Sequence, residues 1–123
     1  MHIEIALDVN DPTTMIAFWS AVLGYESEDE GRFDSPERVY WSLIHPQGRG
    51  PRLVIQRVPE PVTAKPRLHI DVHEPDIEAA AARAVALGAR RLDDSPVAEV
   101  GTSWIRLADP EGNVFCIVQE RRP

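Results

Sequence analysis

The sequence predicts an α+β fold made of two βαβββ modules, and two observations carry that prediction. Apolar residues alternate through Ile3, Ile5, Leu7 and Val9, run into Asp11-Pro12, and give way to a helical pattern that closes at Leu23-Gly24. About half a chain later, Leu68, Ile70 and Val72 run into Pro75-Asp76 and a second helical pattern that closes at Leu87-Gly88. Self-similarity of this kind marks a chain built from repeated half-modules. A functional site is then expected where the halves meet.

Each element has a local reason. From Ile3 to Val9 every second residue is apolar, with Glu4, Ala6 and Asp8 between them, which is the period of a strand with one packed face. Asp11 is placed to cap a helix and Pro12 suits its first turn. Met15, Ile16, Phe18, Trp19, Val22 and Leu23 recur at spacings of three and four, so this helix has one apolar face. Gly24 stands where a left-handed residue would end it. Tyr25 to Glu30 is a weak strand, and Val39–Ile44 and Leu53–Val58 are stronger ones joined by a turn rich in glycine and proline.

The stretch Pro59–Pro66 carries three prolines and reads as a semi-rigid connector between module one (1–58) and module two (67–123) of a single domain. Arg67 to His73 then alternates like the first strand, Asp76 caps an alanine-rich helix through Leu87, and Gly88 ends it. Strands are expected at Arg90–Asp93, Trp104–Ala108 and Val114–Gln119, with Asp109-Pro110-Glu111-Gly112-Asn113 as the tight turn between the last two. Each half should form a short twisted sheet covered on its apolar face by its own helix.

Composition narrows the function classes. At 123 residues, 43% hydrophobic and 27% charged, the chain can bury a core without staples. A formal net charge of -7 argues against nucleic acid or an anionic membrane as a partner, since both require clustered basic surface. Arg121-Arg122 reads as a solvated tail. The single cysteine permits no internal disulfide, no basic-then-apolar leader opens the sequence, and no apolar run approaches the length of a membrane span. A cytoplasmic protein is expected. No phosphate-cradling glycine loop, Gly-x-Ser-x-Gly elbow or Cys-x-x-Cys pair occurs.

Five segments together resemble the vicinal oxygen chelate superfamily, the glyoxalase, bleomycin-resistance and extradiol-dioxygenase group, and its small glyoxalase-like proteins in particular. They are Leu7-Asp8-Val9-Asn10-Asp11-Pro12, Phe18-Trp19 with Leu23-Gly24-Tyr25, His69 with Asp76, Ala86-Leu87-Gly88-Ala89, and Asp109-Pro110-Glu111-Gly112-Asn113. The resemblance covers nearly the whole chain. It implies two βαβββ modules whose curved mixed sheets face a shared cleft, the glyoxalase-like fold. It also implies a homodimer, with the Pro59–Pro66 connector as the hinge of any module exchange. It does not fix a reaction, because the superfamily spans lyases, isomerases, oxygenases and antibiotic-sequestering proteins.

In metal-dependent relatives four His and Glu ligands point into the cleft, one from the first and one from the last strand of each module. His69, seven residues before Asp76, falls on one such position, but seven residues before Asp11 stands Glu4 rather than His. After the Gly-Asn turn Cys116 occupies the place of the glutamate, and the matching position in module one falls near Val54, with Gln56 two residues on. The residues left to hold a divalent metal (Zn, Ni, Fe or Mn) are therefore Glu4, His69 and Cys116. The competing reading makes His69 a hydrogen-bonded cleft residue and Cys116 a small buried hydrophobe.

By alternation Asp8 and Asp71 share the cleft face. Asp71 beside His69 could orient a general base, which makes His69 and Asp71 the candidate catalytic pair; either carboxylate could instead be solvated or pair with Arg52, Arg57, Arg67 or Arg106. Trp41 and Trp104 are expected either as aromatic cleft walls or as core. Phe18 and Trp19 are expected to pack, and Glu26–Glu30 reads as a charged strand edge that discourages edge pairing.

The favoured reading is a protein that binds a small organic, aromatic-type ligand in a cleft lined by Glu4, Asp8, Trp41, Gln56, His69, Asp71, Trp104 and Cys116, without the usual metal. The alternatives are a metal-dependent lyase, isomerase or dioxygenase with an atypical Glu/His/Cys site, and a protein-interaction module with an occluded cleft.

Overall fold

The computed structural model describes residues 2–28, 36–64, 66–99 and 101–120. Asp29 and Glu30 of the acidic segment, Lys65 of the connector and Arg121-Arg122 lie outside the described residues. The architecture is α+β, with two curved mixed sheets and two helices among those residues. The chain divides into two compact units, Met1–Pro61 and Val62–Pro123.

The first unit contains β1 (Glu4–Val9), α1 (Pro12–Leu23), β2 (Glu26–Ser27), β3 (Tyr40–Ile44) and β4 (Arg52–Arg57). Its strands are ordered β1-β4-β3-β2, with β1 parallel to β4 and the other pairs antiparallel. Asp11, in an extended conformation, accepts hydrogen bonds from the Thr14 amide at 3.3 Å and the Thr14 hydroxyl at 2.6 Å, which anchors the start of α1. Gly24 closes the helix at φ 67°, where a side chain would be strained. Met15, Phe18 and Trp19 are buried on one face of α1, against a sheet face formed by Val9, Trp41, Leu43, Leu53 and Ile55. Phe18 and Trp19 meet edge to face with ring centres 5.2 Å apart. Asn10 donates from Nδ2 to the carbonyls of Val58 and Glu60, fastening the end of β1 to the start of the proline-rich segment.

The second unit contains β5 (Asp71–Glu74), α2 (Ile77–Ala86), β6 (Arg90–Arg91), β7 (Val97–Glu99), β8 (Thr102–Ala108) and β9 (Val114–Gln119). Its strands are ordered β5-β9-β8-β6, β5 runs parallel to β9, and β7 pairs with the start of β8. The Asp76 side chain accepts from the Ala79 amide at 3.1 Å and caps α2. Ile77, Ala80, Ala81 and Ala84 are buried, and these mostly small side chains bring α2 down onto β8 and β9. Beneath it lie Ile105, Leu107, Phe115 and Ile117. Arg91 forks onto Glu78 at 2.7 and 3.1 Å, tying β6 to the first turn of α2.

Two features depart from the expected pattern. The strand expected from Arg67 begins only at Asp71, and Leu68 is 78% exposed. With Asp71 opposite Cys116 in the parallel register, Val114 falls opposite His69, so β9 has not begun where Arg67 and Leu68 pass. Their alternation therefore has no partner strand to act on. The short strand β7 was not expected, because three residues are too few to show a period.

Candidate functional site

On the second sheet, parity separates two faces. Ile105, Leu107, Phe115 and Ile117 turn toward α2, so Thr102, Trp104 and Arg106 on β8, and Val114, Cys116 and Val118 on β9, turn to the other side. The register sets Asp71, Cys116 and Arg106 in one row across three strands, with His73, Val118 and Trp104 in the next. Asp71, Cys116, Arg106, Val118 and Trp104, with Thr102, Val114 and His69 just ahead of β5, line a depression of about 400 Å³ on the face of the sheet away from α2. Trp104, Val114 and Val118 form its apolar wall; His69, Asp71, Cys116 and Arg106 supply its polar groups.

His69 Nδ1 lies 2.9 Å from Asp71 Oδ1, with both side chains more than two-fifths exposed. Cys116 is buried. That burial pushes its thiol up from the ordinary value, the Asp71 charge and hydrogen bond push the same way, and Arg106 opposes them. A cysteine held as the thiol is a poor nucleophile at neutral pH.

Arg106 is fixed beside the pocket by Asp93. Its Nε lies 3.1 and 3.2 Å from the two carboxylate oxygens, Nη2 lies 2.9 Å from Oδ1, and its backbone amide donates to Oδ2 at 2.9 Å. These hydrogen bonds, the side-chain one first, hold the Asp93 carboxyl below the usual aspartate value. A carboxylate depressed in the folded state contributes stability that is present above its unfolded pKa and fades as pH falls through its folded one. Stability that Asp93 contributes at neutral pH should therefore decline below about pH 4. Asp93→Asn should remove that part of the acid limb in urea melts run from pH 7 to pH 3; an unchanged pH profile would discount the pair.

The first unit holds the other residues singled out from sequence. Glu4, Asp8 and Gln56 share the open face of its sheet, where Glu4 stands opposite Arg52 and Asp8 opposite Gln56. The Glu4 carboxylate accepts from Arg52 at 3.0 Å, and Arg52 also reaches Glu28 at 3.0 Å. Trp41 does not join them. It pairs with Ile55 on the buried face, is 7% exposed, and has the guanidinium groups of Arg38 and Arg57 over its ring at 5.2 and 5.1 Å. The expectation of Trp41 as a cleft wall is corrected by parity: Tyr40 is the residue opposite Gln56, and it is 56% exposed. Trp104, by contrast, stands on the same face as His69, Asp71 and Cys116.

Of the three residues left for a metal by the sequence, His69 and Cys116 come together in the second unit, and the third donor beside them is Asp71. One imidazole nitrogen, one carboxylate oxygen and the thiol sulfur all lie within 4.8 Å of one another. Glu4 belongs to the first unit and is engaged by Arg52. Nitrogen, oxygen and sulfur donors together suit zinc, whereas manganese favours an all-oxygen or oxygen-imidazole set. Zinc bound to such a set would act as a Lewis acid toward a ligand oxygen. Thr102, Val114 and Val118 were not singled out in advance, and Arg106 was considered only as a partner for a carboxylate; alternation along β8 and β9 places all four once the strands are known.

The profile of the Glyoxalase-like domain family matches residues 4–118, and the chain belongs to that family. No curated protein matches the sequence. Among solved structures, a glyoxalase/bleomycin resistance protein/dioxygenase family enzyme from Burkholderia phytofirmans superposes with a TM-score of 0.74 at 18% identity, covering 94% of this chain and 95% of that one. The fosfomycin resistance protein FosX from Listeria monocytogenes is similar with a TM-score of 0.74 at 16% identity, covering 98% and 91%. A variant of that protein, complexed with Mn(II) and 1S,2S-dihydroxypropylphosphonic acid, has a TM-score of 0.71 at 17% identity, covering 93% and 85%. At these identities the likeness is one of fold. Among the described residues no helix is long and apolar enough to cross a membrane.

Proposed function

We propose that the pocket of the second unit binds a small organic molecule, with an aromatic or other flat apolar part against Trp104 and oxygen substituents toward His69, Asp71 and Arg106. One observation carries this reading: a single depression of about 400 Å³ combines an apolar wall with convergent polar side chains. Ligand sites have that composition, apolar surface for affinity and a few placed polar groups for orientation. The fosfomycin resistance neighbour, which holds a small phosphonate diol together with Mn(II), supports the fold as a host for compact oxygen-bearing ligands.

Tryptophan emission tests the reading. Trp19 and Trp41 are buried at 1% and 7% exposure, so a ligand in this pocket acts chiefly on Trp104. Titrating small aromatic acids, phenols and phosphonates should find compounds that quench emission saturably and raise the melting temperature. Trp104→Ala should abolish the quench and weaken binding about fivefold, the equivalent of about 1 kcal/mol for a lost ring contact. Saturable binding that Trp104→Ala leaves untouched would place the ligand elsewhere, and a panel with no binder would count against the reading.

A second reading, a metal-dependent lyase, isomerase or dioxygenase, is favoured by the proximity of His69, Asp71 and Cys116.

A further inference from the structure

We infer that Arg106, clamped by Asp93, selects the ligand of this pocket by an oxyacid group: the bound molecule sets a carboxylate or phosphonate on Arg106 and points a hydroxyl group at Asp71. The assignment rests on the organic-ligand reading of the pocket and narrows its substrate class.

Polarity across the pocket is the first observation. Asp71 and Arg106 are both register partners of Cys116, on the strands to either side of it, so opposite charges stand about 10 Å apart at the backbone with a thiol between them. That charged row runs between apolar side chains, with Val114 on one side and Val118 and Trp104 on the other. An ionised carboxylate only accepts hydrogen bonds, and a guanidinium only donates them. A molecule that satisfies both ends therefore carries an anionic acceptor toward Arg106 and a hydrogen-bond donor toward Asp71. Turned the other way, its acid would meet Asp71 and like charges would repel.

The second is the state of the guanidinium. Arg106 turns its Nε and Nη2 edge to Asp93, and among the described residues its side-chain hydrogen bonds all go to that carboxylate. The Nη1 end of the fork keeps its donors. Such a planar pair of donors matches two oxygens of a carboxylate or phosphonate.

The third is support. The Asp93 side chain is 11% exposed and also accepts from the Arg106 backbone amide at 2.9 Å. The Asp93 carbonyl accepts from Arg91 Nε at 2.6 Å, and Arg91 in turn forks onto Glu78 of α2. Strand and helix thus hold the carboxylate that holds the guanidinium. Little rotamer freedom is left for Arg106 to lose on binding, which is how a preorganised group raises affinity.

Tryptophan quenching by matched compounds supplies the test. The probes are phenylacetate, its hydroxylated relatives mandelate and 4-hydroxyphenylacetate, the amides of all three, and benzylphosphonate. At least one hydroxylated acid should bind at least about tenfold more tightly than its own amide, and about threefold more tightly than phenylacetate. Added salt should weaken binding of the acid and spare the amide. Removing Arg106 alone would leave the Asp93 carboxylate unpaired, so the main variant combines Asp93→Asn with Arg106→Gln. There the preference for acid over amide should fall to about twofold or less while the affinity for the amide holds. Arg106→Lys, which keeps a cation beside Asp93 and loses the fork, should lose part of the preference. Asp71→Asn should erase the advantage of the hydroxylated acid without weakening phenylacetate. The tighter of benzylphosphonate and phenylacetate names the acid, provided that the double variant removes its advantage. Acids and amides that bind alike, or a preference that survives in the double variant, would overturn the role of Arg106 and leave the organic-ligand reading standing. Phenylacetate binding as tightly as both hydroxylated acids would overturn the hydroxyl contact with Asp71. Absence of quenching by every compound would count against the assignment and the reading together.

Discussion

Trp19→Ala is expected to destabilise the protein by about 3–5 kcal/mol, close to abolishing the folded state of a marginally stable domain. Trp19 is 1% exposed, packs edge to face on Phe18, and sits on the face of α1 that covers the first sheet. Removing the indole deletes its transfer free energy and leaves a cavity walled by neighbours that can collapse only in part. Trp104→Ala provides the internal comparison. Trp104 is only half-buried and lies on the open face of the second sheet, so its loss should cost about 1 kcal/mol or less in stability while removing the ligand contact. Urea melts of the two variants side by side measure the contrast. Equal losses would mean that Trp104 is a core residue and that the pocket reading misjudges its wall.

The features that let Trp19 be placed from sequence also show what the sequence carries. Asp11, Pro12 and Gly24 mark both ends of α1 by backbone chemistry, and the spacing of Met15, Phe18 and Trp19 marks its buried side, so the structure adds distances and little else. Parity works where a strand is long. β8 and β9 span 7 and 6 residues, and alternation along them puts Trp104 and Cys116 on the open face. It misleads where one residue of register decides the face. Trp41 lies one residue from Tyr40, and only pairing with Ile55 rather than Gln56 sends it into the core. Leu68 alternates correctly yet stays exposed, because a strand needs a neighbour that β9 does not extend far enough to give. The candidate site was legible in part for the same reason. His69 and Asp71 stand two positions apart, so their shared side follows from period 2, but the approach of Cys116 depends on a parallel register that no local pattern encodes. The fork of Arg106 onto Asp93 is likewise a product of tertiary packing.

The neighbouring antiparallel register of β8 and β9 is closed by one turn, which makes Asp109 the second position of large expected effect. Asp109 is 3% exposed, and its Oδ1 accepts from the amides of Glu111 and Asn113, each at 2.9 Å, while Asn113 Nδ2 donates to Oδ2 at 2.9 Å. Asp109→Ala would strand these donors in a partly buried turn, and unmade hydrogen bonds to a buried charged acceptor cost about 1–3 kcal/mol. A total loss of about 2–4 kcal/mol is expected once the loosened β8–β9 connection is included. Asp109→Asn keeps an acceptor oxygen at the same reach and should lose less. Because β8 carries Trp104 and Arg106 and β9 carries Cys116, fraying of this hairpin moves the pocket and the donor group together. At a temperature where Asp109→Ala is still folded, its ligand-induced quench should weaken, whereas Trp104→Ala abolishes it without a comparable loss of stability. Denaturation curves, with the quench titration on the same preparation, separate these outcomes: a stability loss that left the quench intact would mean that strand pairing, and not the turn, sets the position of the pocket wall.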